Sequence, residues 1–123
     1  MNAGSRCGSQ WRSQPWMPAW MRSNESPKPL RDVVASPRAA ALAAALGKDD
    51  ARHVEVVLRE TAEVVRAERG VLISRTRHGF VCANAGVDAS NAADPDERVL
   101  LPLDPDASAR ALRRALPGGP AVV

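Results

Sequence analysis

Two short apolar runs, Val71-Leu72-Ile73 and Phe80-Val81-Cys82-Ala83, are cut apart by Arg77-His78-Gly79, and this spacing restricts the fold more than any other feature. Neither run is long enough for a helix of its own. Gly79 can take the positive φ of a tight reversal, so the pair reads as a hairpin with strands at 71–75 and 80–83. Gly70 releases the chain into the first of them. Beyond Ala83 the side chains turn small and hydrogen-bonding: Asn84, Gly86, Asp88, Ser90, Asn91. A carboxylate, a hydroxyl and amides around a glycine, just past a strand end, suit hard cations and phosphate oxygens. The same residues also make an Asx-type turn in which Asp88 and Ser90 satisfy local backbone, and from the residues alone the turn is the simpler account.

Upstream, Ser36 is placed to cap a helix, Pro37 to open it and Gly47 to end it. Its interior, 38–46, is nearly all alanine and leucine, which gives strong propensity and weak anchoring. Asp49 is placed to cap a second helix reaching about Ala67. Val54, Val57, Leu58, Thr61, Val64 and Val65 follow the spacing of one apolar stripe. Arg52, Glu55, Arg59, Glu60, Glu63 and Arg66 form the solvated side, and His53 is expected at the surface. Asp94-Pro95-Asp96 marks a turn. Val99–Leu103 is a third strand candidate, and Pro102 argues for an edge or a strand end. Asp104-Pro105-Asp106 opens a third helix with acids at the positive end of its dipole, and Arg110, Arg113 and Arg114 lie toward the other end. Pro117-Gly118-Gly119-Pro120 stops it.

Residues 1–29 read as an irregular, disordered tail. Trp11, Trp16 and Trp20 are spaced almost as on a helix, but Pro15 and Pro18 interrupt it, which disfavours a docking motif. Elsewhere the only aromatic is Phe80, so the core must be aliphatic and thin. At 123 residues the chain is at most one modest domain. The net charge of +3 comes from 17 basic and 14 acidic residues that are intermixed. No basic stretch alternates with aromatics, which argues against nucleic-acid binding. Cys7 and Cys82 have no metal-type spacing, and Cys82 reads as a small buried hydrophobe. No apolar stretch approaches the roughly 18 residues of a membrane span, and the N-terminus lacks a signal peptide's apolar region. The cytoplasm is the default location.

Glu-Arg-Gly-Val-Leu-Ile at 68–73, Thr-Arg-His-Gly-Phe-Val-Cys-Ala-Asn-Ala-Gly-Val-Asp-Ala-Ser-Asn at 76–91 and Leu-Pro-Leu-Asp-Pro-Asp-Ala-Ser-Ala-Arg at 101–110 closely resemble the coenzyme F420:L-glutamate ligase family, over roughly 30–116. The resemblance implies that Asp88 is a ligand to Mg²⁺ or Mn²⁺ and that Asn91 contacts GTP. It implies a reaction in which GTP activates a carboxylate of the deazaflavin coenzyme precursor as an acyl phosphate. The amine of L-glutamate then displaces the phosphate to form an amide, and the enzyme is expected to be a homodimer. Arg77 and His78 lie in the shared motif but carry no catalytic role over, and Ser90 and Cys82 lack a base partner. A downstream Asp-Thr segment that completes the family's site has no counterpart here.

The expectation is therefore an α+β fold, three helices packed on a small, mainly antiparallel sheet, as a fragment of a larger α/β ligase domain. Residues 30–123 would be the partial ligase domain, a truncated or misframed piece of low activity. The alternative is a non-catalytic module that pairs through open sheet edges and an uncovered apolar face.

Overall fold

The computed structural model describes residues 28–90 and 92–122. Residues 1–27 of the tail expected at 1–29, with its tryptophans, and the nucleotide candidate Asn91 lie outside them. Among the described residues the chain divides into two units, 28–100 and 101–122.

In the first unit, Lys28–Pro29 form a two-residue strand, β1, where the sequence led us to expect irregular chain. Ser36 then caps α1 (Pro37–Leu46), its hydroxyl accepting the Ala39 N–H at 3.1 Å, and Gly47 closes the helix in the left-handed region. α2 (Ala51–Glu60) starts one residue later than expected, with Asp50 as its cap, accepting the Arg52 N–H at 2.9 Å.

α2 also stops at Glu60, not near Ala67. The Thr61 hydroxyl donates to the Val57 carbonyl at 2.7 Å and occupies an acceptor of the last helical turn. The β-branched Thr61, Val64 and Val65 then enter a strand, which suits them better than a helix. This is β2 (Thr61–Glu68), the first strand of a hairpin that the helical spacing of the same residues had concealed. Arg69 and Gly70 turn it at φ 51° and 77°, both positive as a two-residue type I′ turn needs. β3 (Val71–Thr76) returns antiparallel, from Glu68 opposite Val71 to Thr61 opposite Thr76, with register shifts at Ala62 and Val65.

The expected second hairpin is present. Gly79 turns the chain at φ 93°, and β4 (Val81–Ala83) pairs with β3, Cys82 facing Ser74. Sheet order is β2-β3-β4, antiparallel throughout. β5 is Glu97–Arg98, earlier than the strand expected at Val99–Leu103, and it pairs antiparallel with β1 to form a second, two-stranded sheet.

Packing follows from these elements. Ala39 and Ala43 are small enough to let α1 lie close against Val54 of α2. Val56 and Val57 on α2 meet Leu72 of β3 together with Leu30, Val33, Leu46, Ala85 and Val87. Val56 fell outside the predicted stripe, and its burial shows that α2 is apolar toward both α1 and the sheet. The opposite face of the sheet is open: Val71 and Val81 are 48% and 60% exposed. The second unit contributes α3 (Pro105–Ala115), capped by Asp104 with Asp106 in its first turn and Arg113 and Arg114 in its last, as expected. The fold is α+β, with three α-helices and antiparallel sheets among the described residues.

Candidate functional site

The polar loop begins where β4 ends. Asn84, Ala85 and Gly86 all adopt left-handed backbone, at φ 51°, 51° and 74°. For alanine this conformation costs about 1–2 kcal/mol, and it is offset by the burial of Ala85, 1% exposed in the core beside Val87. The turn redirects the chain so that Asp88 meets Val99, each donating its N–H to the other's carbonyl, at 2.9 and 2.8 Å. The half-buried Asp88 carboxylate accepts the Ser90 N–H at 2.8 Å and the Ser90 hydroxyl at 2.7 Å through Oδ1.

The Asx turn and an oxygen-donor site are therefore built from the same atoms. Asp88 and Ser90 are a hard oxygen pair, compatible with Mg²⁺ or Mn²⁺. Among the described residues no three His, Cys, Asp or Glu side chains gather to hold a metal ion. A cation at Asp88 would need water and phosphate for most of its ligands, as Mg²⁺ commonly does.

The other residues of the motif have structural work. Arg77 donates to the Arg59 carbonyl at the end of α2, and His78 stacks on Phe80 with ring centroids 6.0 Å apart. Cys82 is half-buried, more open than the core position expected of it. A groove of about 310 Å³ lies on the sheet, lined by Arg66, Glu68, Arg69, Val71 and Ile73, none of which belongs to the polar loop.

A second polar cluster was not visible in the sequence. His53, expected at the surface, is half-buried, and its Nδ1 accepts the Arg98 Nε–H at 2.9 Å. Burial first, then the nearby Arg98 and Lys48 charges, push its pKa below the ordinary imidazole value. Arg98 also donates through Nη1 to the Pro95 and Glu97 carbonyls, at 2.8 and 2.7 Å. Glu97 is buried, 5% exposed, with Oε2 unpartnered among the described residues. Beside them Asp50 grips Arg52 at 2.7 Å, and the hydrogen bond from Arg52 holds the Asp50 carboxyl below its usual range. A histidine on an otherwise charged helix face gives no sequence signal for such a contact, because its partner lies 45 residues away.

Comparison with known proteins agrees with the motif. The family profile F420-0:Gamma-glutamyl ligase matches residues 22–118. Coenzyme F420:L-glutamate ligase of Methanopyrus kandleri is 52% identical over 87 residues, 71% of this chain and 34% of that protein. The proteins of the same name from Methanothermobacter thermautotrophicus and Archaeoglobus fulgidus are 45% and 42% identical over 87 residues, with the same coverage. The chain thus spans about a third of the length of the curated relatives it matches. With the profile covering most of its residues, the chain belongs to the F420-0:gamma-glutamyl ligase family.

Proposed function

We propose that this chain carries the metal- and nucleotide-facing loop of a GTP-dependent ligase that joins L-glutamate to the deazaflavin precursor of coenzyme F420. The observation that carries this reading is the placement of Asp88: the left-handed turn at 84–86 and the two backbone bonds to Val99 fix it at the end of the sheet. Its carboxylate is oriented by Ser90. A divalent cation bound there would offset charge on the phosphates of GTP and on the departing phosphate. Asp88 would supply a carboxylate oxygen to that cation, and Ser90 would hold the carboxylate rotamer. Asn91, assigned through the family resemblance, would donate its side-chain amide to the nucleotide. Residues 30–123 would form the partial ligase domain, acting in the cytoplasm as a homodimer. No helix among the described residues is long and apolar enough to cross a membrane.

Calorimetric titration with Mn²⁺ and a non-hydrolysable GTP analogue tests the assignment. The wild-type chain should bind Mn²⁺ more tightly once the nucleotide is present. Asp88→Asn keeps an oxygen for Ser90 but removes the charge, and it should weaken Mn²⁺ binding at least tenfold without changing the circular dichroism spectrum. Equal affinity in the two proteins would remove the metal role of Asp88.

One observation favours a second reading. The outward face of the three-stranded sheet exposes Val71 and Val81, and Val65 at the bulge in β2 is exposed as well, as in a module that pairs with another chain. An oligomer insensitive to Mn²⁺ and nucleotide, together with no Mn²⁺ binding, would select the module over the ligase segment.

A further inference from the structure

Asp88 is held by more than the left-handed turn that precedes it. Both of its backbone groups bond to Val99, and Val99 directly follows Arg98 at the end of β5. The Arg98 guanidinium reaches α2 through His53 Nδ1 and holds the Pro95 and Glu97 carbonyls of its own segment. One side chain thus ties the segment that anchors Asp88 to α2.

We infer that Arg98 is a positioning residue for Asp88, and that it is held in place by the neutral His53 ring. The consequence for metal binding rests on the ligase reading above; the placement of the loop does not. Accepting a hydrogen bond at Nδ1 requires the His53 proton to sit on Nε2, and an imidazolium has no acceptor left. Protonation would also set a second cation against Arg98. The charged groups that face His53 are Arg98 from β5, Lys48 from the connection between the helices, and Asp50 from the α2 cap. The first two oppose protonation and Asp50 favours it. Because the folded ring has a lowered pKa, the stabilising contribution of the contact is complete above the ordinary 6.5 and is lost as pH falls through the lowered folded value. Acid should therefore release Arg98, loosen β5 and free the Asp88–Val99 pair.

Amide exchange by NMR on the full chain, between pH 7.5 and 5, tests this without any metal. Protection factors at Asp88 and Val99 should fall at least fivefold relative to those of the β2–β3 pairs as the His53 ring resonances report protonation. His53→Gln presents a carbonyl oxygen to Arg98 and should keep the protection flat across the range. His53→Leu should lose it already at pH 7.5. Unchanged protection at Asp88 and Val99 in a folded His53→Leu, or on protonation of His53 in the wild type, would overturn the inference. A parallel Mn²⁺ titration at pH 7.5 should show weaker binding in His53→Leu and not in His53→Gln. If the protection changes occur but the wild type binds no Mn²⁺, the positioning stands and the ligase reading of Asp88 fails.

Discussion

Arg69 occupies the first central position of the β2–β3 turn at φ 51°, where a long side chain carries a steric penalty that asparagine largely avoids. Arg69→Asn should therefore stabilise the chain, by up to about 1 kcal/mol. Gly70, at φ 77°, is the opposite case. An added Cβ would sit at an ordinary 3.5 Å from the Leu46 carbonyl oxygen, so only the backbone conformation opposes it. Gly70→Ala should destabilise by about 1–2 kcal/mol. Urea denaturation of the two variants checks both signs at one turn; equal shifts in the same direction would contradict the turn assignment. The sequence showed Gly70 but not that Arg69 shares its conformation, because Arg-Gly lacks the local hydrogen-bonding habit that marks Asn-Gly. The three left-handed residues before Asp88 were hidden for the same reason, since an alanine in that region is held by burial in the core rather than by its own preference.

At the scale of elements, Glu55 links the two helices of the first unit. It accepts the Ser36 N–H at 3.0 Å at the start of α1 and the Arg59 Nε–H at 3.1 Å one turn along α2. Hydrogen bonds from Ser36, side chain first and then backbone, hold its carboxyl below the ordinary 4.5. A lowered folded value means that the contribution is complete above 4.5 and disappears as pH falls through that lower value. Glu55→Gln should cost about 1–2 kcal/mol at pH 7. The difference from wild type should shrink between pH 5 and 3, measured as urea midpoints, and a constant difference would mean that charge is not involved. The helix ends show how unequal the legibility was. The caps at Ser36 and Asp104 were readable because they depend on a side chain and a backbone N–H three residues apart. The end of α2 was not, since Val64 and Val65 fit a helical stripe as well as a strand until β3 pairs with them.

At the scale of the whole molecule, the larger of two apolar clusters lies between α2 and the sheet. Leu72, 1% exposed, is its largest member on β3. Leu72→Ala should cost about 2–5 kcal/mol, a large fraction of the roughly 5–15 kcal/mol that holds a small domain folded. On the open face of the same sheet, Val81→Lys should change the stability of the isolated chain by no more than about 0.5 kcal/mol. Any oligomer that uses this face should nevertheless dissociate in Val81→Lys. Light scattering beside thermal melts separates the two effects; an unchanged oligomer would place its interface elsewhere.

The sequence by itself determined the α+β class, the starts of α1 and α3, the β3–β4 hairpin and the polar loop carrying Asp88. Each of these depends on residues within a few positions of one another, through spacing, capping or a forced turn. Tertiary structure alone decided that 61–68 is a strand, that β5 begins at Glu97, and that His53 and Arg98 meet beside the segment anchoring Asp88. Those outcomes depend on which distant backbone offers a hydrogen-bond partner and which face is covered, and no local pattern encodes that choice.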